Sequence, residues 1–245
     1  MRIGTCTDIG KTRPINEDNF YVSEYVAKLD AIYAMVADGM GGHNAGETAS
    51  EMAVGEVSGF INEYFTDQVP AEQIRDLLIA AINSANKLIY AGAQDEVRLS
   101  GMGTTLTACF CRGGHATVAH VGDSRAYIIR GDVIHKITSD HSLVAELLKN
   151  GQITPEQARS HPQKNVITRA LGTDPHVEID IYEFELQQGD VILLCTDGLS
   201  NMLTDQEMYH LARDAESMEE AAEALVAAAN EKGGFDNITA VLLEM

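Results

Sequence analysis

The sequence predicts an α+β fold in which helices pack on antiparallel sheet. Strand-like and helical stretches occur in separate blocks along the chain, whereas parallel βαβ folds alternate them. No Ser/Pro-rich linker divides the 245 residues, which are enough for one domain with a substantial core. We therefore expect a layered sandwich formed by a single domain, residues 1–245.

The first half of the chain begins with strands and continues with helices. Short apolar runs typical of strands lie at 2–8, 19–25 and 31–37. Apolar residues then recur at three- and four-residue steps in two longer stretches, which indicates helices with one buried stripe at 45–65 and 70–93. Both helices are predicted to form one layer on a sheet.

The second half is predicted to open with a meander of hairpins. Between residues 104 and 137, four short β runs are separated by Gly-containing turns. Residues 142–165 are more polar and weakly helical, with Thr154 suited to cap a helix that begins at Pro155, and we interpret this segment as a flap beside the site. The remaining elements are predicted as strands at 177–185, 190–196 and 238–244 and helices at 204–214 and 217–232.

The charge of the chain excludes several classes of function. Lys and Arg total 17 against 37 Asp and Glu, a formal net charge of −20. A chain this acidic has no electrostatic means of holding nucleic acid or an anionic membrane, and a phosphate-handling site would need metal ions to reverse the local charge. The N-terminal residues contain no apolar segment of signal-peptide length. We expect a soluble, cytoplasmic protein with no membrane insertion.

The cysteines exclude one kind of phosphatase chemistry. All four lie in strand-like runs, where we expect small buried hydrophobes in a reducing compartment. None begins a Cys-x5-Arg loop, because the sixth residue after each cysteine is Thr12, His115, Thr117 or Asn201. A cysteine nucleophile is therefore excluded.

Five aspartates lie where an apolar run ends in glycine or another loop-forming residue: Asp18, Asp38, Asp123, Asp197 and Asp236. A carboxylate at the end of a strand, followed by glycine, is well placed to bind Mg²⁺ or Mn²⁺. Each one alone could be a turn-forming residue, since Asp-Gly is common in turns. Their recurrence favours strands that converge on one metal cluster.

Two-metal hydrolysis requires a carboxylate that bridges two ions about 3.5–4 Å apart and a water whose pKa is lowered by the metal. Asp38 is our bridging candidate, and the carbonyl of Gly39 can be a further ligand. Asp197 and Asp236 would complete the first metal site. No Cys/His cluster of zinc type lies nearby, which favours Mg²⁺ or Mn²⁺ with several retained waters.

Six motifs in one order carry a resemblance to a known family: GKTRPINED, VADGMGGHNAGETAS, SGMGTTLTA, AHVGDSRAY, LLCTDGLSN and GGFDNITAVL. Over nearly the whole chain they resemble the metal-dependent protein phosphatases of type 2C, specifically the compact bacterial serine/threonine phosphatases. The resemblance implies a four-layer α-β-β-α sandwich of two antiparallel sheets flanked by helices, with a small flap near the site. It also implies a binuclear Mn²⁺/Mg²⁺ centre at which metal-activated water hydrolyses phosphoserine and phosphothreonine without a phosphoenzyme.

The resemblance also suggests roles for individual residues. Asp38 resembles the ligand shared by both metals and Gly39 the backbone-carbonyl ligand, while Asp197 and Asp236 look like the other ligands of the first metal. Glu17 and Asp18 look like the pair that holds the second metal, directly or through water. The sequence does not decide which of these two makes the direct contact.

Three further roles are implied around this centre. Arg13 resembles the arginine that clamps the substrate phosphate, and Asp123 resembles the ligand of a third, weaker metal shared with Asp197. The alternative for Asp123 is a tight turn formed with Arg125. Met40 stands where many eukaryotic members have the histidine that protonates the leaving alkoxide, and methionine cannot donate a proton. His43 and His161 are the two alternative proton donors, and each could instead be an ordinary surface or turn residue.

Phosphorylated proteins are the partners implied by the resemblance, with a cognate Ser/Thr kinase and its substrates or anti-sigma-factor proteins among them, and we expect a monomer. The sequence names neither the substrate nor the preferred ion. One alternative function is a pseudo-phosphatase that binds without turnover, which the complete ligand set disfavours. Another is a two-metal nuclease or phosphodiesterase, which the net charge of −20 disfavours.

Overall fold

The structure, a computed structural model, describes residues 1–42, 45–159 and 161–245. The strands of these ranges are β1 Arg2–Asp8, β2 Asp18–Val22, β3 Ala31–Met40, β4 Gly103–Thr104, β5 Leu106–Arg112, β6 His115–Val121, β7 Arg125–Arg130, β8 Val133–Lys136, β9 Asp180–Glu185, β10 Val191–Cys195 and β11 Ile238–Glu244. The α-helices are α1 Ala45–Tyr64, α2 Ile74–Asp95, α3 Leu143–Lys149, α4 Pro155–Arg159, α5 Asp197–Ser200, α6 Asp205–Asp214 and α7 Met218–Glu231.

The strands form two antiparallel sheets that face each other. One sheet has the order β2-β3-β5-β6-β9, with the short β4 beside β3, and the other has the order β1-β11-β10-β7-β8. Helices α1 and α2 cover the outer face of the first sheet, while α6 and α7 cover the outer face of the second. The predicted four-layer α-β-β-α sandwich is confirmed.

Central strands are buried on both faces, which explains their unbroken apolar sequences. In β3, Tyr33 and Met35 pack toward the helices, whereas Ile32, Ala34 and Val36 pack between the sheets. Successive side chains of a strand point to opposite faces, so a strand between two apolar layers needs apolar residues at every position. The same division recurs in β10 at Val191, Ile192, Leu193, Leu194 and Cys195.

Most predicted boundaries agree with the structure, and three differ in ways that affect the site. Strand β3 continues to Met40 instead of ending before Asp38, because β2 and β4 supply it with partners there. A short helix, α5, begins at Asp197, where no helix was predicted. The predicted strand at 177–185 begins only at Asp180, where its pairing with β6 starts.

The segment 142–165 leaves the sandwich and returns at one place. Leu143 N–H donates to Val166 O (2.9 Å), and Thr168 N–H donates to His141 O (2.8 Å), so its two ends lie side by side. His141 N–H also donates to Gly122 O (2.7 Å), which fixes the base of the segment to the turn that carries Asp123. Its role as a flap stays a prediction.

Two smaller expectations can be compared with the structure. Cys109, Cys111 and Cys195 are buried free thiols, whereas Cys6 is only partly buried. Within the described ranges, no helix is long and apolar enough to cross a membrane.

Candidate metal centre

The pairing of β2 with β3 places two of the predicted ligands opposite each other. Asp18 lies directly across from Asp38 in the antiparallel register. The backbone of Asp38 is held by two threonines: its N–H donates to Thr105 Oγ1 (2.9 Å) and its carbonyl accepts from Thr104 Oγ1 (2.9 Å). The extension of β3 through Asp38 therefore fixes this carboxylate in a sheet rather than in a loose turn.

Asp18 connects the two sheets through its side chain. Its Oδ2 accepts hydrogen bonds from Thr196 Oγ1 (2.8 Å) and Thr239 Oγ1 (2.7 Å), which lie beside β10 and in β11 of the opposite sheet. Its Oδ1 is buried and has no hydrogen-bond partner in the described part of the chain. Asp18 Oδ2 thus links the two sheets, while Asp18 Oδ1 is available to bind a ligand.

The loop before β11 joins the N-terminal segment to the site through Asn237. Its side chain accepts from Glu17 N–H (2.8 Å) and donates to the carbonyls of Ile9 and Ile15, both at 2.9 Å. The buried Asn237 amide therefore holds the segment that carries Arg13 and Glu17 close to Asp236, its neighbour in the chain. Asn237 was not predicted as a site residue, although its position in the GGFDN motif is the signal that could have identified it.

Arg13 lies at the edge of the cluster, with its side chain 45% exposed. Its Nη2 donates to Asp236 Oδ2 at 2.8 Å, and its Nη1 lies 3.9 Å from Glu17 Oε2. Glu17 Oε1, like Asp18 Oδ1, is buried without a partner among the described residues. Arg13 therefore neutralises part of the acidic cluster and keeps an exposed guanidinium beside it.

Asp197 occupies the first position of α5. Its Oδ2 accepts from Asn201 Nδ2 (3.0 Å), and its Oδ1 is the third buried carboxylate oxygen of this site without a partner in the described ranges.

A close backbone approach shapes the site beside Asp38, where a Cβ on Gly39 would lie only 2.0 Å from Gly46 O. Glycine at position 39 lets the start of α1 pack directly on β3 beside Asp38.

The carboxylates raise one another's pKa. Burial, together with repulsion from Asp18, Asp197, Asp123 and Asp236, raises the pKa of Asp38 well above its ordinary value. Burial and neighbouring carboxylates also raise the pKa of Asp18 and of Asp123 to about 7, and that of Asp197 to about 6. The five aspartates predicted to converge do lie within electrostatic range of each other, and the cluster carries uncompensated negative charge.

These features fit divalent cations of the Mg²⁺ or Mn²⁺ type. Three buried carboxylate oxygens of this site have no partner in the part of the chain that the structure describes, which would be costly in a site that stays without ions, and the donors are all oxygen. Over the described ranges, no group of three or more His, Cys, Asp or Glu side chains is already arranged around one metal position. An ion here would thus take few protein ligands and complete its coordination with water, as Mg²⁺ commonly does.

The turn that carries Asp123 makes a structural contact through Arg125 and lies within electrostatic range of Asp38, and the role of Asp123 as a metal ligand stays a prediction. Arg125 forms a two-point ion pair with Asp140, from Nε to Oδ1 (3.0 Å) and from Nη2 to Oδ2 (2.7 Å), which is a structural contact. The Asp123 carboxylate takes no part in this ion pair, and its charge acts on Asp38. The turn is therefore structural at Arg125 and directed to the cluster at Asp123.

The proton-donor candidates differ in what the structure describes. His43 lies outside the described residues. The contacts of His161 are local, since its Nδ1 accepts from Gln163 N–H (3.1 Å) and its own N–H donates to Ala158 O (3.3 Å). The side chain of Met40 packs against Gly103, since a Cβ added to Gly103 would lie only 2.7 Å from Met40 Cε.

Two buried histidines were missed from the sequence. His141 Nδ1 accepts from Gly122 N–H (3.0 Å), and His120 Nδ1 lies 2.9 Å from Thr107 Oγ1. Burial lowers the pKa of His120 to about 3, and it also lowers the pKa of His141. His141 contacts the turn before Asp123 directly, whereas the His120 ring contacts Thr107 and Ser139 O, and the adjacency of His120 to the VGDSR motif was the available signal.

Comparison with known sequences identifies the class of protein. Residues 13–239 match the family model of protein phosphatase 2C. The chain is 44% identical over 238 residues to the serine/threonine phosphatase Stp of Listeria innocua, covering 97% of this chain and 93% of that protein. It is 42% identical over 245 residues to the protein phosphatase PhpP of Streptococcus pneumoniae, covering 100% and 98%.

Solved structures agree with the sequence matches. The serine/threonine phosphatase PstP/Ppp of Mycobacterium tuberculosis superimposes with a TM-score of 0.89 at 36% identity, covering 100% of this chain and 98% of that one. The catalytic domain of a phosphatase PstP in complex with two manganese ions gives 0.86 at 34% identity, covering 99% and 97%.

These matches define a protein phosphatase of type 2C, and the oxygen-ligand cluster of the chain fits divalent cations. The chain belongs to the protein phosphatase 2C family, as its six motifs predicted.

Proposed function

We propose that this protein is a serine/threonine phosphatase that hydrolyses phosphoserine and phosphothreonine in proteins at a binuclear Mn²⁺/Mg²⁺ centre. The observation that carries the proposal is that buried carboxylate oxygens of Glu17, Asp18 and Asp197 have no hydrogen-bond partner among the residues the structure describes, and that Asp18 and Asp197 lie within electrostatic range of Asp38. The names of the relatives, serine/threonine phosphatase Stp and protein phosphatase PhpP, support the substrate class.

In this proposal the carboxylates divide into two sets. Asp38 would be the ligand common to both ions, Asp197 and Asp236 would complete the first, and the carbonyl of Gly39 would add a backbone ligand. Glu17 and Asp18 would hold the second ion, since each has one buried oxygen with no hydrogen-bond partner in the described ranges for a direct or water-mediated contact. Asp123 and Asp197 share a third, weaker ion. When bound, the ions supply an activated water for attack on phosphorus and neutralise the charge of the phosphate.

Arg13 is proposed to orient the phosphate. Its planar guanidinium can donate two parallel hydrogen bonds to phosphate oxygens, and its half-exposed position beside Asp236 lets it reach solvent. His43 and His161 remain the proposed alternatives for donating a proton to the leaving serine or threonine oxygen, because Met40 has no proton to give.

The function is tested by hydrolysis of p-nitrophenyl phosphate and of a phosphothreonine peptide. We expect turnover of both that requires added Mn²⁺ or Mg²⁺, because the site offers carboxylates and excludes a cysteine nucleophile. Undiminished turnover in excess EDTA, or a trapped phosphoenzyme, would contradict the mechanism. Tight binding of the phosphopeptide without any turnover would instead favour the pseudo-phosphatase alternative.

Replacing Arg13 by Ala is expected to raise KM for the phosphothreonine peptide roughly tenfold or more, with a smaller change in kcat. The reason is the loss of charge-assisted hydrogen bonds to the phosphate, each of which contributes about 1.5–3 kcal/mol. Steady-state kinetics of Arg13→Ala and Arg13→Lys would measure this, and we expect Lys to recover only part of the affinity, since it lacks the planar fork. An unchanged KM in both variants would remove Arg13 from the proposed site.

Phosphorylated proteins are the proposed partners, with a cognate Ser/Thr kinase and its substrates among them. The monomeric state and the cytoplasmic location stay predictions. Comparison of the phosphoproteins of cells with and without this protein would identify the substrates, and light scattering would measure the oligomeric state.

A further inference from the structure

Thr105 lies between strand β3, which carries Asp38, and the turn that carries Asp123, and its side chain is hydrogen bonded to both. Asp38 N–H donates to Thr105 Oγ1 (2.9 Å), and Thr105 Oγ1 lies 2.8 Å from Ser124 Oγ. Thr105 N–H also donates to Asp38 O at 2.9 Å. Because Thr105 and Ser124 are 2% and 0% exposed, water does not compete for these bonds.

Packing adds a second link between Thr105 and the Asp123 turn. Gly122 has a φ of +112°, and a Cβ placed on it would lie 2.5 Å from Thr105 Cγ2. The backbone before Asp123 therefore rests directly on the threonine methyl group. One side chain thus contacts the turn through its hydroxyl and through its methyl.

Neighbouring polar residues also hydrogen bond to the Asp38 strand or to the Asp123 turn. Thr104 Oγ1 donates to Asp38 O (2.9 Å), and Thr107 Oγ1 donates to Ser124 O (3.2 Å). His141 holds Gly122 through its ring and its backbone N–H. Thr105 differs from these residues because its hydrogen bonds connect the Asp38 strand to the Asp123 turn.

We propose that Thr105 is a positioning residue that sets the separation between the Asp38 and Asp123 carboxylates and thereby the affinity of the site for metal ions. The inference rests on the metal roles given under the proposed function. Residues that orient metal ligands from behind typically account for about 10–100-fold in metal affinity. A hydroxyl that joins the Asp38 strand to the Asp123 turn is suited to this role, since its loss lets the turn move independently of the strand.

The test compares Thr105→Val, which removes the hydroxyl and keeps the branched shape, with Thr105→Ser, which keeps the hydroxyl and removes the methyl. Binding of Mn²⁺ is measured by calorimetry, and melting temperatures are measured with and without Mn²⁺. We expect roughly tenfold weaker Mn²⁺ binding for Val and near wild-type binding for Ser. Equal Mn²⁺ affinity of Thr105→Val and the wild type would overturn the inference, even if the variant melts at a lower temperature.

Two further variants keep the test decisive. Ser124→Ala breaks the same hydrogen bond from the other side and should weaken Mn²⁺ binding in the same direction, so it replaces Thr105→Val if that protein does not fold. Thr117→Val is the matched control, because Thr117 is also buried but lies in β6 opposite Phe110, away from the cluster. A loss of Mn²⁺ affinity in Thr117→Val as large as in Thr105→Val would contradict a specific role.

The outcome for the wild type separates this inference from the proposed function. A wild-type protein that binds no Mn²⁺ and hydrolyses no phosphothreonine overturns both. A wild-type protein that binds Mn²⁺ and turns over substrate, beside a Thr105→Val variant with equal Mn²⁺ affinity, overturns only the role of Thr105. The double variant Thr105→Val/Ser124→Ala should bind Mn²⁺ no more weakly than Thr105→Val, since the two changes remove one shared hydrogen bond.

Discussion

Replacing Asp38 by Asn is expected to lower hydrolysis by roughly a thousandfold or more, because loss of even one neutral donor from a site of developing charge costs about 10²–10³-fold. The same substitution should leave the metal-free protein as stable as the wild type or more stable. Asp38 lies among four other carboxylates, and their repulsion, added to burial, raises its pKa well above the ordinary value. Asparagine keeps the shape and removes the charge that causes this repulsion.

Two measurements on the same samples distinguish a ligand from a structural residue. The rate with saturating Mn²⁺ should collapse, while the melting temperature in EDTA should stay level or rise. Asp132→Asn is the matched control, since Asp132 is exposed in the turn between β7 and β8, and its rate should stay at the wild-type level. Near wild-type activity of Asp38→Asn would show that the bridging assignment is wrong.

The fold was predictable because its layers leave a clear pattern in the sequence. Strand β10, and β3 over residues 31–37, are apolar at every position because both faces are buried, and α1 and α2 show one apolar stripe because each has one buried face. Separate blocks of strands and helices then indicated an antiparallel sandwich. None of this required knowledge of which strands are neighbours.

The candidate site was predictable only as far as local motifs extend. Asp38, Asp123 and Asp197 could be recognised because each follows an apolar run, whereas Asp18 begins β2 and Asp236 precedes β11. The partners of the aspartates depend on strand register. Thr196 and Thr239 contact Asp18 across separations of 178 and 221 residues, which no local pattern encodes. Helix α5 was missed for a different reason, since its four residues are too few to show helical periodicity.

The stability of the metal-free protein is expected to fall as the pH rises from about 5 to 8. The stabilisation that Mn²⁺ provides should instead increase over the same pH range. The pKa of Asp18 and of Asp123 is raised from 3.8 to about 7, and that of Asp197 is raised to about 6. A carboxyl whose pKa is higher in the folded state binds its proton more tightly there than in the unfolded chain. Its contribution to stability is therefore complete below about pH 4 and is lost as the pH rises through 6 to 7.

Melting curves in EDTA at pH 5, 6, 7 and 8 measure this loss of stability. One pKa unit corresponds to about 1.4 kcal/mol, and the groups titrate together, so we expect the free energy of unfolding to fall by about a few kcal/mol in total. Added Mn²⁺ should raise the melting temperature most at pH 8, because ions and protons compete for the same oxygens. The Asp38→Asn variant should show a flatter pH dependence in EDTA, since one source of the repulsion is gone. A melting temperature that rises steadily from pH 5 to 8 in EDTA would mean that the carboxylates are not close enough to repel one another, and the convergence of the five aspartates on one centre would have to be abandoned.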